Sequence, residues 1–251
     1  MRKALTPIEN YYRKFFPKRM INHKDICKRF SGETGIEIGG PSQIFTKKGF
    51  LPLYKNIKSL DNVNFSNQTV WEGSLQDNSL FEIEGTTGIQ YIKEASNLHE
   101  IEDSKYSFLL SSHNIEHLAN PLKTIKEWKR VVKPDGYFLF VVPNKEGTFD
   151  HLRPVTTIDH LIQDLKNDTK EDDSTHFEEV LELHDLAMDP GSMNYSDFKK
   201  RTLLNHENRC VHHHVFNLPL LKEIAIQSDI EIILAAKFSK IHLVLLGKNR
   251  K

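Results

Sequence analysis

Two apolar runs near the end of the chain are separated by only two residues. Residues 231–238 and 241–247 have the composition of strands, and Ser239 and Lys240 lie between them. Parallel strands need a crossover of a dozen or more residues, so these two runs must pair antiparallel. The sequence therefore predicts a sheet that closes with a hairpin.

Earlier segments of the chain alternate between strand and helix patterns. Short apolar runs that predict buried strands occupy residues 36–38, 57–60, 106–110 and 137–142. Asn120 and Pro121 have the pattern of an N-cap and a first helical turn, and apolar residues follow at helical spacing. Residues 218–227 predict a further helix. Such alternation favours an α/β fold, a doubly wound and mostly parallel sheet covered on both faces.

Composition and charge exclude several classes of protein. The 251 residues are 38% hydrophobic, which suffices for a core, and 34 Lys and Arg balance 34 Asp and Glu. A dedicated nucleic-acid binder needs surplus positive charge, so we expect no nucleic-acid partner. No apolar run reaches the roughly 18–20 residues of a transmembrane segment, and the first residues lack the apolar stretch of a signal peptide. Cys27 and Cys210 are too few for a disulfide framework. We expect a cytoplasmic protein.

The neutral total hides two charged segments. Residues 1–30 contain nine Lys and Arg against Glu9 and Asp25, whereas residues 163–189 contain ten Asp and Glu. A solvated helix face is the simpler explanation of each. The alternative is that residues 1–32 form a basic helical arm that contacts an anionic partner or a second copy of the chain, giving a homo-oligomer.

A glycine turn follows the first strong strand. Gly39 and Gly40 come directly after residues 36–38, at the sheet edge where open α/β folds bind ligands. Asp61 lies about 20 residues further, the spacing at which a carboxylate binds ribose hydroxyls. The third glycine of a dinucleotide-binding turn is absent and Pro41 follows instead. Glu37 inside the strand favours a cationic or amino-bearing ligand over a diphosphate.

These residues resemble class I S-adenosylmethionine-dependent methyltransferases. Residues 35–40 look like the first motif of that family, residues 111–121 resemble its fourth-strand motif, and residues 128–136 resemble the approach to its fifth strand. The resemblance implies a Rossmann-like core over residues 33–142 and 215–251. It departs at Pro41, and the first crossover helix looks short or absent.

The resemblance also implies a set of cofactor-binding residues. The glycine loop passes under the methionine part of S-adenosylmethionine, an acidic residue holds the ribose, an acid and an alanine border the adenine, and the fourth-strand motif approaches the sulfonium. Carried over to this sequence, these residues are Glu37, Gly39, Gly40, Ser42, Asp61, Glu94, Ala95, Ser112 and His113.

Residues 143–214 exceed what the core needs and predict a substrate-binding cap over the active edge. They contain eight of the thirteen histidines. They also resemble methyltransferases of surface-polysaccharide assembly, which implies that a hydroxyl or substituent of a sugar, nucleotide sugar or glycan accepts the methyl group. The predicted acceptor-binding residues are Arg153, His176, His213 and His214.

An alcohol needs a general base, and imidazole is the usual one near neutral pH. The sequence offers His117 or His151 as the base, with Asp150 orienting it. In a strand, His212 and His214 would share a face, but their spacing fits no standard zinc motif, and no metal is predicted. Alternatives are a methyltransferase of another small molecule, a nicotinamide-dependent enzyme, a catalytically silent binding module and a nucleic-acid methyltransferase.

Overall fold

The computed structural model describes residues 18–69, 73–189, 191 and 194–250, which form an eight-stranded mixed sheet beside a two-stranded ribbon. The strands are β1 Thr34–Ile38, β2 Ser59–Asn64, β3 Gln68–Thr69, β4 Gly73–Ser74, β5 Ser79–Ile83, β6 Thr86–Ile92, β7 Tyr106–Ser112, β8 Val132–Pro143, β9 Ile230–Phe238 and β10 His242–Asn249. The large sheet has the order β5-β6-β2-β1-β7-β8-β10-β9. β1, β2, β6, β7 and β8 run parallel, and β8, β10 and β9 pair antiparallel. The predicted Rossmann-like sheet with a closing hairpin is confirmed.

Seven α-helices lie within the described residues. They are α1 His23–Lys28, α2 Pro121–Val131, α3 Ile158–Asn167, α4 Phe177–Leu183, α5 Tyr195–Leu203, α6 Asn205–Asn208 and α7 Leu218–Gln227. The predicted cap of α2 is present, because Asn120 accepts a hydrogen bond from the Lys123 amide and Pro121 begins the helix. The cap insertion contributes α3 to α6, so it is largely helical.

Each face of the sheet has its own core. Trp128 of α2, Leu161 of α3 and Ile224 of α7 are buried against one face. On the other face, Ile26 of α1 and the following Phe30 are buried. The described part of the expected basic arm therefore packs against the sheet through its apolar side chains, and its charged residues are mostly exposed. Residues 1–17, on which the predicted oligomer contact depends, lie outside the described residues.

The connections depart from the regular alternating pattern. Between β1 and β2 the described chain makes only the 3-10 turns Gln43–Phe45 and Tyr54–Asn56, as the sequence suggested. β5 was not predicted, and it joins β6 as an antiparallel hairpin at the sheet edge. The segment 211–215 is not a strand, the conformation in which His212 and His214 would have shared a face. Its three histidines consequently do not alternate between two faces.

Candidate active site

A cavity of about 400 Å³ opens at the carboxyl ends of β1, β2 and β7, a size within the 300–1,000 Å³ usual for small-molecule sites. Seven of the predicted site residues line it, namely Gly39, Ser42, Glu94, Ala95, Ser112, His113 and His117. Lining residues that sequence reasoning did not select include Asn64, Phe65, Lys93, Asn114, Glu171, Arg209 and His242. The core and the cap thus meet around one space.

Buried polar side chains fix the glycine turn at the cavity. The carbonyl of Gly40 accepts hydrogen bonds from the amides of Asn62 at 3.1 Å and Asn64 at 3.0 Å. The fully buried carboxylate of Glu37 accepts hydrogen bonds from the Ser42 amide at 3.1 Å and the Tyr54 hydroxyl at 2.8 Å. Glu37 and Gly40 therefore stabilise the turn and do not line the cavity, although the resemblance implied that they bind the cofactor.

Gly39 lines the cavity at a position that has no room for a side chain. Its φ of 77° lies in the left-handed region, and an added Cβ would lie 2.7 Å from Asn114 Nδ2. A side chain at this position would fill the space under the turn. The arrangement fits a ligand that approaches the backbone closely, as the methionine part of S-adenosylmethionine would.

Gly39→Ala is expected to weaken S-adenosylmethionine binding about tenfold or more, measured by calorimetric titration. The substitution adds a Cβ that displaces Asn114 at the cavity wall. Gly32→Ala is the matched control, because Gly32 has a φ of 75° and no atom within 4 Å of the added Cβ. Equal cofactor affinity in the two variants would contradict the role of Gly39.

Arg209 of the cap closes one end of the cavity. Its guanidinium donates to Glu94 Oε1 and Glu171 Oε2, each at 2.7 Å, and lies 5.4 Å from the centre of the Phe65 ring. Glu94 and Ala95 follow β6, where the resemblance placed the adenine. Arg209 thus ties the cap to the predicted adenine end of the core.

Asp61 is not at the cavity, contrary to the prediction that it ends the second strand. It is the third residue of β2, which continues to Asn64. Its carboxylate accepts hydrogen bonds from the Tyr106 hydroxyl at 2.6 Å, the Lys105 ammonium at 3.0 Å and the Ile89 amide at 2.9 Å. These contacts stabilise the sheet. Asn64 takes the place at the strand end.

The opposite end of the cavity is lined by hydroxyls and imidazoles. Ser42 Oγ donates to Ser112 Oγ at 3.0 Å, which joins the glycine turn to the end of β7. His113 Nε2 lies 2.9 Å from Nδ1 of His242 on β10. Burial lowers the pKa of His113 to about 3, and burial also lowers the pKa of His242. Both rings are therefore neutral near pH 7.

His117 lines the cavity as a neutral imidazole with a defined tautomer. Its Nδ1 lies 3.0 Å from the carbonyl of Val211, which can only accept, so Nδ1 carries the proton and Nε2 the lone pair. Burial lowers the pKa of His117 well below its usual value. The free Nε2 lies 3.9 Å from Glu116 Oε1. This geometry permits His117 to accept a proton.

The His212 ring lies against His117, with 4.6 Å between the ring centres. Its Nδ1 is 2.5 Å from Asp150 Oδ2. Although burial disfavours the imidazolium, the Asp150 carboxylate raises the pKa of His212. Burial opposes ionisation of Asp150 too, but His212 and Arg153 together lower its pKa to about 2. Asp150 therefore orients His212 behind the cavity and does not line it.

Glu116 is a buried carboxyl group beside these imidazoles. It is fully buried, and neither carboxyl oxygen has a hydrogen-bond partner among the described residues. Burial raises its pKa from 4.5 to about 7. In the unfolded chain the proton leaves near pH 4.5, and in the folded chain it leaves near 7. Stability is consequently lost as the pH rises through this interval.

Glu116→Gln is expected to remove this loss, because an amide does not ionise. Relative to the native protein, the variant should gain up to about 3 kcal/mol in free energy of unfolding as the pH rises from about 4 to about 8. Urea denaturation at several pH values measures the gain. A constant difference between the two proteins would show that Glu116 keeps an ordinary pKa.

The remaining predicted residues lie away from the cavity. His151 Nε2 is 2.9 Å from Asp185 Oδ2 on a half-exposed part of the cap. Arg153 is 1% exposed and is enclosed by protein acceptors, so it cannot anchor an acceptor as predicted. His213 and His214 are buried, and neither they nor His176 line the cavity. Their position inside the cap could not be derived from spacing, because the segment 211–215 is irregular.

Three groups of side chains in the described residues have spacings that would allow a metal ion. In each group one ligand atom per residue lies within 4.8 Å of the others. The groups are Glu116, His117 and His212 beside the cavity, and His160, His176 and His214, and Asp173, His176 and His213, within the cap. The sequence analysis predicted no metal site.

Residues 52–140 match the family model of a methyltransferase domain. About a third of the chain is thus similar to methyltransferase domains. The matched segment runs from the turns before β2 into β8, and S-adenosylmethionine is the cofactor of this domain. The cavity is lined by Gly39, Ser42, Glu94 and Ala95, four of the residues that the resemblance implied for cofactor binding.

Solved structures of methyltransferases are similar at low identity. An S-adenosylmethionine-dependent methyltransferase from Aquifex aeolicus is 14% identical, with 98% of this chain and 100% of that chain covered and a TM-score of 0.49. One from Methanosarcina mazei is 16% identical, with 98% and 99% covered and a TM-score of 0.48. No curated protein sequence matches the chain. The methyltransferase assignment therefore depends on the matched segment and the cavity.

Among the helices of the described ranges, none has the length and apolar character needed to cross a bilayer.

Proposed function

We propose that this methyltransferase domain transfers the methyl group to a hydroxyl of a sugar, nucleotide sugar or glycan. The observation that carries the proposal is the tautomer of His117, a cavity-lining residue whose Nε2 carries the lone pair. An alcohol is a poor nucleophile until its proton leaves, whereas many amine and thiol acceptors need less help. A neutral imidazole in this place favours an oxygen acceptor.

The polar lining supports a hydroxylated acceptor. Ser112, His113, His117 and His242 all line the cavity, and the rings of His113 and His242 contact each other. These groups can donate and accept hydrogen bonds with several hydroxyls at once. A flat apolar acceptor would leave them without partners after water is displaced, which costs free energy.

The chain's own groups have distinct roles in this mechanism. When bound, S-adenosylmethionine supplies an electrophilic methyl carbon activated by its sulfonium charge. The Gly39 turn and Ser42 hold one side of the cavity, and Arg209 with Glu94 closes the other. His117 Nε2 takes the acceptor's hydroxyl proton while the Val211 carbonyl keeps Nδ1 protonated. Alignment of acceptor and donor supplies much of the remaining acceleration.

The test is a comparison of methyl-transfer rates with methyl-labelled S-adenosylmethionine. One panel contains free sugars, nucleotide sugars and bacterial glycans, and the second contains phenols, amines and thiols of similar size. We expect label in the carbohydrate panel. Label confined to the second panel would refute the sugar acceptor while leaving the methyltransferase assignment intact.

A further inference from the structure

A compact cluster of histidines lies inside the cap, outside the active cavity. His160 and Asp164 come from α3, His176 immediately precedes α4, and His214 follows α6. None of these four residues lines the cavity described above. Because they come from three separate segments, a ligand bound by all four side chains would fix the internal arrangement of the cap.

Several potential ligand atoms of this cluster lie within 4 Å of one another. His160 Nε2 is 3.1 Å from His176 Nε2 and 3.3 Å from Asp164 Oδ2. Asp164 Oδ2 is 3.8 Å from His214 Nε2. Ligands bound tetrahedrally to Zn²⁺ at about 2.0–2.2 Å are separated from one another by about 3.3–3.6 Å. These three spacings bracket that range, and the ligand atoms of the three histidines all lie within 4.8 Å of one another.

Several of these atoms lack any other partner. His214 is 1% exposed, and neither of its ring nitrogens makes a well-aligned hydrogen bond with a described residue, although the Ala119 backbone lies near the ring. Asp164 Oδ2 is likewise buried without a hydrogen bond. Such groups cost free energy when they are left unsatisfied, so these nitrogens and this oxygen favour a bound cation.

The surrounding side chains distinguish this group from its neighbour. Asp164 Oδ1 accepts a hydrogen bond from Thr169 Oγ1 at 3.2 Å, which orients the carboxylate. In the adjoining group, His213 Nε2 is 3.1 Å from the Asn205 amide, and Asp173 accepts from Thr175 Oγ1 at 2.8 Å. Among the described residues, the adjoining group thus has one buried atom without a hydrogen bond, His213 Nδ1, whereas the His214 group has three, both His214 ring nitrogens and Asp164 Oδ2.

We propose that His160, Asp164, His176 and His214 bind one Zn²⁺ ion. Three imidazoles and a carboxylate form a donor set that suits zinc, and four protein ligands make a closed, structural site. The ion would link α3, the segment before α4 and the segment after α6. That last segment also carries Arg209 and His212, so the site would hold the cap wall of the active cavity in place.

Zinc content and affinity of the full chain test the site. The protein is purified, treated with a chelator, incubated with zinc sulfate and desalted, and bound zinc is measured by elemental mass spectrometry. We expect about one ion per chain and, in chelator competition, affinity at least about 100-fold weaker in His160→Ala and His214→Ala. The control is His206→Ala, an exposed histidine of the same cap, which should keep full affinity.

Circular dichroism establishes that each variant is folded, and His160→Ala is the more tolerant substitution because its side chain is 40% exposed. Replacement of zinc by Co²⁺ gives a second readout, since tetrahedral Co²⁺ has intense visible absorption. The proposal is overturned if the native protein binds no zinc. It is also overturned if folded His160→Ala keeps native affinity or if Glu116→Gln alone abolishes binding.

Discussion

Arg153→Met is expected to lower the free energy of unfolding by about 3–5 kcal/mol, the cost of breaking a buried ion pair. Arg153 donates to Asp150 at 2.8 Å, to Glu179 at 2.7 Å and to the His212 carbonyl at 2.8 Å. Methionine fills much of the volume but leaves Asp150 as a buried charge with one fewer partner. Urea denaturation measures the loss.

Arg250→Met is the control for this substitution. Arg250 also faces a carboxylate, Glu231, but both side chains are largely exposed, and such a pair contributes at most about 1 kcal/mol. A loss in Arg153→Met no larger than in Arg250→Met would contradict the structural role of Arg153. Unchanged stability with a raised KM for the acceptor would instead restore its predicted role as an acceptor anchor.

His117→Ala is expected to lower kcat for methyl transfer by about 10²–10⁴-fold, the usual contribution of a general base. Affinity for S-adenosylmethionine, measured by calorimetry, should be retained because the glycine turn and the Glu94 end are unchanged. His151→Ala separates the two predicted bases, since His151 contacts Asp185 away from the cavity. A large loss in His151→Ala with full activity in His117→Ala would reverse the assignment.

The pH profile gives an independent check of His117. Because burial holds the pKa of His117 well below 6.5, the ring stays deprotonated as the pH falls through the range in which an ordinary histidine gains its proton. The decrease of kcat at acidic pH should therefore begin at a clearly lower pH than in a reaction that depends on an exposed histidine. His99→Ala, which alters an exposed imidazole, should leave the profile unchanged.

The sheet could be predicted because most of its central strands are short apolar runs and the last two strands lie close together in the sequence. The two-residue gap at Ser239 and Lys240 alone required the closing hairpin, and the Asn120-Pro121 signal located the start of α2. The edge strand β5 was missed. Its burial is slight, and its side chains lack the apolar pattern of the central strands.

The candidate site was only partly predictable, because polar residues inside β2 hide where the strand ends. Asp61 looked like the first polar residue after a strand, yet β2 continues through Asn62 to Asn64. Those amides are buried because they bind the Gly40 carbonyl, a partner that spacing cannot reveal. Arg209 was missed for a related reason, since its contact with Glu94 joins residues far apart in the chain.

The position of the transferred methyl group tests the proposed reaction most directly. The native protein is incubated with carbon-13 methyl-labelled S-adenosylmethionine and the most reactive carbohydrate, and nuclear magnetic resonance identifies the labelled atom. We predict a methyl ether on a sugar oxygen, formed by the native protein and strongly reduced in His117→Ala. Label on nitrogen or carbon, or equal product from both proteins, would contradict the role of His117 as the base for an oxygen acceptor.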